Sequence, residues 1–220
     1  MIEWTEEART RQGLYRFLGT AMRPPGAERF ALLSSAWVLL DDRDLDTYAF
    51  SPVWRRFGDV LMSGGSIGDR EVEYVRLFGV GMAGTPATPT ESYYRVPQRD
   101  GGIADFISTL QREYRSMGLK PVGTAETPDH ISTELEAMSF LCGVEAEAWQ
   151  GGHDRVAMDT LAHEAKFLSG HLAVWVPVFA SRTRDADPGP FYGPLLDLIH
   201  AFVVHEADLV RMIVKRRALI

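Results

Sequence analysis

This sequence has little cysteine, no long apolar run and no excess of positive charge. Cys142 is the single cysteine of the 220-residue chain, which excludes a framework of internal disulfides and favours a reducing compartment. No stretch approaches the ~18 apolar residues that a membrane-spanning helix needs. The first ten residues contain three Glu and no apolar segment of the kind found in secretory signals. We therefore expect a cytoplasmic protein without stable membrane insertion.

The net charge limits the classes of molecule that the protein can bind. Lys and Arg number 23 and Asp and Glu number 30, so the formal net charge is −7. Binding to nucleic acid through phosphate neutralisation requires a basic surface, and we expect none here. An acidic surface favours a cationic partner, or serves solubility alone. The hydrophobic content of 45% is that of an ordinary folded protein, and we expect a single domain over residues 1–220.

Helical spacing dominates the chain. Apolar residues recur every three or four positions, and no segment alternates with a two-residue period. The predicted helices cover residues 4–22, 25–40, 52–62, 69–78, 103–117, 157–169, 171–181 and 191–214. A further helix is expected to open at Thr127, with Pro128 in its first turn and Asp129 at the positive end of the helix dipole.

Two segments are expected to be irregular. Residues 79–102 are rich in Gly and Pro and predict a long central loop, and residues 183–190 predict a linker. The fold class that follows is all-α: a single-domain bundle of about eight to ten helices.

Motifs for catalysis, metals or nucleotides are weak. The string from Gly79 to Gly84 matches G-x-G-x-x-G, but it lacks the preceding strand and following helix that a nucleotide site requires. No H-E-x-x-H or G-x-S-x-G motif occurs, and Cys142 lies on the apolar face of its predicted helix. We therefore predict no catalytic residues, no metal and no cofactor. A helical metal- or cofactor-binding enzyme remains the alternative, because six His and many aromatic residues are present.

Polar and aromatic residues cluster at two predicted junctions of loop and helix. Glu91, Ser92, Tyr93 and Tyr94 end the long loop, and Asp129-His130 is followed one turn later by Glu134. Such residues suit a binding site. In the alternative interpretation, Asp129 only complements the helix dipole and His130 is an ordinary core residue.

Four motifs, in order, carry a resemblance to a known family. They are Arg11–Gly19 ahead of Pro24-Pro25; Glu73–Gly79 followed by Glu91–Tyr94; Pro128–Ile131 with Glu134–Met138; and His171-Leu172, Trp175 and Pro177–Phe179 before Phe191-Tyr192. With these motifs the chain resembles the TorD/DmsD/NarJ family of redox-enzyme maturation chaperones. The resemblance spans nearly the whole chain and departs at Ala137, where the family often has Phe.

The resemblance implies an all-helical chaperone that is not an enzyme. Such proteins bind the twin-arginine signal peptide and the catalytic subunit of a molybdopterin oxidoreductase until its cofactor is inserted. Residues 118–126 and Glu145–Ala148 look most like the subgroup that serves type II dimethyl sulfoxide reductase-like enzymes. The client, the choice between monomer and dimer, and any bound nucleotide or molybdenum cofactor are not indicated.

A receptor for such a peptide needs carboxylates for the guanidinium groups and an apolar groove for the rest. We predict Asp129 and Glu134 as the carboxylates and His130 as their hydrogen-bonding neighbour. Tyr74, Phe78, Tyr93 and Tyr94 are predicted as groove walls, and Glu91 and Ser92 complete the predicted peptide site.

Overall fold

The protein folds as a bundle of helices. The computed structural model describes residues 2–43, 45–79, 84–96, 102–119 and 126–217. In these ranges the helices are α1 (Ile2–Ala21), α2 (Ala27–Asp41), α3 (Ser51–Met62), α4 (Ile67–Phe78), α5 (Glu91–Arg95), α6 (Gly102–Ser116), α7 (Ile131–Gln150), α8 (Asp154–Gly170), α9 (Leu172–Asp185) and α10 (Tyr192–Arg217). No strand of two or more residues occurs in the same ranges. The predicted all-α class is confirmed.

Local signals place most of the helix ends where the spacing predicts them. Pro52 lies in the first turn of α3, where its missing N–H has no helical acceptor to lose. Ser66 caps α4, and its hydroxyl accepts a hydrogen bond from the backbone N–H of Asp69 at 3.4 Å. These ends depend on residues adjacent in sequence, and such ends can be predicted from sequence.

The predicted starts at residues 69 and 157 lie inside α4 and α8, which begin at Ile67 and Asp154. Two other predicted boundaries are wrong because of tertiary contacts. The helix expected to open at Thr127 begins at Ile131, because residues 127–130 are taken up by turns and by a contact with another part of the chain. The linker expected from residue 183 starts later, since α9 continues to Asp185 and buries Thr183 completely. In both places a tertiary contact overrides the local pattern.

The core is built around α1 and α7, which pack more extensively than any other pair of described helices. Two glycines allow the close approach. A Cβ on Gly143 of α7 would lie 2.5 Å from the Gln12 side chain, and a Cβ on Gly19 of α1 would lie 3.3 Å from the carbonyl oxygen of Ser132. Helix α8 packs against α7, and α8, α9 and α10 pack on one another.

One continuous cluster of buried apolar side chains runs from α1 to α10. The single domain over residues 1–220 stays a prediction. None of the described helices combines the length and the apolar character needed to cross a membrane.

The predicted loop over residues 79–102 contains one short helix, α5, which packs against α9. The G-x-G-x-x-G string lies largely outside the described residues, which resume at Gly84.

Candidate functional site

The start of α7 is joined to the start of α5 by backbone hydrogen bonds. Thr90 and His130 form an antiparallel bridge. The N–H of Glu91 donates to the carbonyl of Asp129 at 2.9 Å, and the N–H of Ile131 donates to the carbonyl of Pro89 at 2.9 Å. We call this contact the 90/130 bridge. It brings the two predicted binding junctions together.

Asp129 caps a helix other than its own. Its Oδ2 accepts a hydrogen bond from the N–H of Ser92 at 3.1 Å, in the first turn of α5. Asp129 is 2% exposed. The negative charge therefore complements the dipole of α5, and holds that five-residue helix in place.

His130 caps α7. Its Nδ1 accepts from the N–H of Ser132 at 3.2 Å and lies 2.7 Å from the Ser132 hydroxyl. Burial lowers the pKa of His130 below its ordinary value, although the charges of Glu126 and Asp129 oppose that shift. A neutral imidazole with Nδ1 as acceptor fits both observations.

Glu134 lies one turn into α7 and is fully buried. Trp175 Nε1 of α9 donates to its Oε2 at 2.9 Å. Burial, and then the charge of Glu91, raise the pKa of Glu134 well above its ordinary value. Burial and the neighbouring Glu91 charge therefore both favour the neutral form of the Glu134 carboxyl group.

Glu91 is the centre of a network of charged groups. Its Oε1 accepts from Arg95 Nη1, and its Oε2 lies 2.7 Å from His171 Nδ1. His171 Nε2 lies 3.1 Å from Glu113 Oε2. Burial alone lowers the pKa of His171, but the hydrogen bonds and charges of Glu91 and Glu113 outweigh burial, and the net shift is upward. We call Glu91, Arg95, Glu113, Glu134 and His171 the Glu91 cluster.

Aromatic rings line the side of α5 and α9 next to this cluster. Successive ring centroids lie 5.2 Å apart for Tyr74 and Phe78, 6.0 Å for Phe78 and Phe179, and 6.0 Å for Phe179 and Tyr94. Tyr94 also stacks on Trp175 at 5.5 Å and meets Tyr93 edge-on at 5.1 Å. We call Tyr74, Phe78, Tyr93, Tyr94, Trp175 and Phe179 the aromatic wall.

All the predicted site residues thus belong to one continuous set of contacts. Trp175 connects its two parts, because its indole bonds to Glu134 and stacks on Tyr94. Tyr74, Tyr93 and Tyr94 are half-buried, whereas the other predicted residues are buried. Their role in peptide binding stays a prediction.

Sequence reasoning missed several members of the site. Arg95 follows Glu91 by one helical turn, a spacing typical of helical ion pairs, and that signal could have found it. His171 and Trp175 stand in the fourth family motif but were given no role. Glu113 and Arg182 carry no local signal; the guanidinium carbon of Arg182 lies 5.8 Å from the centre of the Tyr93 ring.

A second set of charged groups lies in the core between α1, α7, α8 and α10. Arg11 is 1% exposed. Its guanidinium bonds to Glu145 Oε2 at 2.8 Å, to Glu206 Oε2 at 2.9 Å and to Glu164 Oε2. Burial raises the pKa of Glu164 to about 8 despite the neighbouring Arg11 charge. We call these four residues the Arg11 cluster.

Among the described residues, a group of side chains with the spacing of metal ligands also lies at the Arg11 cluster. Ligand atoms of Cys142, Glu145 and Glu164 lie within 4.8 Å of one another. The Arg11 guanidinium already bonds to both carboxylates, so the positive charge that a metal ion would supply is in place. The donor set fits a buried ion-pair network better than a metal centre.

Comparison with known proteins decides the family. A profile of the nitrate reductase delta subunit family matches residues 54–181. The chain belongs to that family. The chlorate reductase assembly chaperone of Ideonella dechloratans is 31% identical over 160 residues, which cover 69% of this chain and 80% of the relative. The selenate reductase assembly chaperone of Thauera selenatis is 35% identical over 135 residues, or 60% of this chain and 67% of the relative.

Chaperone protein TorD of Aeromonas salmonicida is 27% identical over 135 residues, covering 61% of this chain and 59% of that protein. The predicted resemblance to redox-enzyme maturation chaperones is confirmed. Two of these relatives are named as assembly chaperones and the third as a chaperone, so the chain belongs to a family of chaperones rather than of enzymes.

A solved structure shares the fold. A protein assigned as a redox enzyme maturation protein from Archaeoglobus fulgidus superposes with a TM-score of 0.57 at 17% identity, over 87% of this chain and 93% of that one. The segment matched by the family profile runs from α3 into α9 and contains the Glu91 cluster and the aromatic wall. Arg11 and Glu206 lie outside it.

Proposed function

We propose that this delta-subunit-family chaperone binds the twin-arginine signal peptide of the apo catalytic subunit of a molybdopterin oxidoreductase. Binding takes place in the cytoplasm and holds the subunit until its cofactor is inserted. The named relatives support a client of this class, since they are assembly chaperones of chlorate and selenate reductases. The net charge of −7 suits a cationic peptide.

The observation that carries the proposal is the junction of the Glu91 cluster with the aromatic wall. A twin-arginine signal presents two guanidinium groups followed by an apolar stretch. Carboxylates beside half-buried aromatic rings match both parts of such a peptide. The half-buried rings of Tyr74, Tyr93 and Tyr94 offer apolar surface at the edge of the protein.

The buried members of the predicted site have a different part in this proposal. Asp129 and Ser92 fix α5, and His130 fixes the start of α7. Glu134 accepts a hydrogen bond from the Trp175 indole and so anchors that ring. These residues set the position of the rings and of Glu91, and direct contact of Asp129 or Glu134 with a peptide would require α5 to move.

Isothermal titration tests the proposal with a synthetic peptide that carries two adjacent arginines followed by an apolar stretch of about 12 residues. We expect micromolar binding to the full chain, and a large loss when both arginines are replaced by alanine. No heat of binding at high micromolar peptide, or equal binding of the two peptides, would overturn the proposal.

Two tyrosine variants separate the site from the rest of the surface. Tyr93→Ala removes a ring of the aromatic wall, and we expect about tenfold weaker binding, since a contacting aromatic ring contributes roughly 1 kcal/mol or more. Tyr48 is also half-buried, but it bonds to Glu7 far from the site. Tyr48→Ala is the matched control and leaves the affinity unchanged.

A further inference from the structure

Arg95 already fills a site built for a guanidinium group. It ends α5 and turns back onto Glu91, and its Nη1 also donates to the carbonyl oxygen of Gly170, the last residue of α8, at 2.6 Å. Its guanidinium carbon lies 5.8 Å from the centre of the Phe106 ring in α6. A carboxylate, a carbonyl and an aromatic face from three helices therefore surround one cation.

The surroundings suit a guanidinium better than an ammonium. A guanidinium can bond in its plane to a carboxylate and a carbonyl while its face lies against a ring, whereas an ammonium is a compact, strongly hydrated charge. Glu91 itself is fully buried, with His171 on its other oxygen. Without a cation at Arg95's position, one oxygen of a buried carboxylate would lose its charged partner.

The contacts of Arg95 leave its side chain open to replacement by another cation. Its side chain is 33% exposed while that of Glu91 is 0% exposed, so one side of the pair faces solvent. His171 stays bonded to the other Glu91 oxygen and water reaches the open side of Arg95, so we expect the loss of the Arg95 contact to cost little stability. An arginine arriving from solvent can therefore take the same carboxylate, with Arg95 swinging into water at small cost.

We propose that Glu91, the Gly170 carbonyl and Phe106 form the subsite for one arginine of the client's signal peptide, and that Arg95 occupies this subsite as an internal substitute in the free protein. The proposal rests on the proposed function and deepens it, because it names the carboxylate that meets the peptide. It also gives a distinctive expectation: removing an arginine from the binding site strengthens binding.

The first experiment needs no client. Thermal unfolding of Arg95→Ala is followed with equal low-millimolar methylguanidinium or methylammonium. Methylguanidinium should raise the Tm of Arg95→Ala by about 1 °C when its concentration equals its Kd, and methylammonium should not. Arg43 is the matched control, because its side chain is 38% exposed and it bonds to Thr10 on the opposite side of the bundle. Equal shifts in Arg95→Ala, Arg43→Ala and the wild type would overturn the subsite.

The second experiment titrates the twin-arginine peptide into Arg95→Gln. We expect binding about twofold to fivefold tighter than to the wild type, because the internal competitor is gone. Arg43→Gln should bind as the wild type does, and the gain should vanish in the double variant Arg95→Gln/Glu91→Gln. Circular dichroism confirms that each variant is folded.

The outcomes separate the two proposals. If the wild type binds the peptide and Arg95→Gln binds it equally or more weakly, the subsite proposal is wrong and the proposed function stands. If neither protein binds the peptide, the proposed function fails and the assignment of this subsite to a client fails with it, even where methylguanidinium rescue succeeds.

Discussion

Two clusters of carboxylates differ in how their positive partner is held. In the Arg11 cluster, three glutamates from α7, α8 and α10 surround an arginine that is 1% exposed. In the Glu91 cluster, the arginine is 33% exposed and lies at the end of a five-residue helix. The chemistry is the same, but only the second of the two cations lies partly open to solvent.

This difference separates a structural network from an exchangeable one. Arg11 links four long helices, and its removal would leave buried carboxyl groups without their hydrogen-bonding partner and counter-charge. Arg95 links short or terminal parts of α5, α6 and α8, and water can replace it on its open side. The predictions below test that contrast in order of expected effect.

Arg11→Ala should destabilise the protein by about 3–5 kcal/mol, because it leaves buried carboxylates without a counter-charge. Urea unfolding at neutral pH measures the free energy of unfolding. Arg9→Ala is the control, since Arg9 bonds to Gln150 on the exposed side of the same helix and should change stability little. A loss below about 1 kcal/mol for Arg11→Ala would show that the cluster contributes less than its burial suggests.

Glu164→Gln should alter how stability depends on pH. The pKa of Glu164 is raised from an ordinary 4.5 to about 8 in the folded protein, so the stabilisation from its protonated form is complete below pH 4.5 and is lost as the pH rises through 8. Gln mimics that protonated form at every pH. Between pH 6 and 9 the wild type should lose of order 2 kcal/mol relative to the variant, less than the full shift implies because neighbouring carboxylates share protons. A difference in the free energy of unfolding between the wild type and Glu164→Gln that stays the same at every pH would contradict this.

Asp129→Ala should destabilise the protein by about 1–2 kcal/mol, because the first turn of α5 loses its cap. Asp129→Asn keeps an acceptor for the Ser92 N–H and should cost less. Hydrogen exchange of the amide of Ser92 provides a local measurement, and its protection should fall in the alanine variant. Unchanged protection would mean that the backbone bonds of the 90/130 bridge alone hold α5.

Arg95→Ala should have the smallest effect on stability, about 0.5–1 kcal/mol, as expected for a partly exposed ion pair. Urea unfolding of this variant beside Arg11→Ala gives the comparison directly. Equal losses in the free energy of unfolding for Arg95→Ala and Arg11→Ala would show that the two arginines are held equally firmly.

Much of the fold follows from local patterns. Helical spacing, Pro52 in the first turn of α3 and the Gly/Pro-rich stretch before α5 all lie within a few residues of what they determine. The predicted site residues also come together, because the family motifs contain them, but Arg95 and Glu113 of the Glu91 cluster lie outside every motif. The resemblance does not state how those residues contact one another.

The remaining features depend on partners distant in sequence. Thr127 and Pro128 have the composition of a helix start, yet a turn and the 90/130 bridge occupy this stretch, and the helix begins only at Ile131. The partners of Arg11 lie 134, 153 and 195 residues away. No spacing rule reaches across such separations, since the packing of α1, α7, α8 and α10 brings these groups together.

The 90/130 bridge also determines where the chain can tolerate insertions and deletions. Ser92 and Asp129 are 37 residues apart in sequence yet share a hydrogen bond, so the segment between them, which includes α6, leaves and returns to the same point on the bundle. Insertions or deletions inside such an excursion add little closure entropy and leave the attachment points where they were. Length variation among homologous chaperones should therefore collect in the connections on either side of α6, since α6 itself contributes Glu113 to the Glu91 cluster.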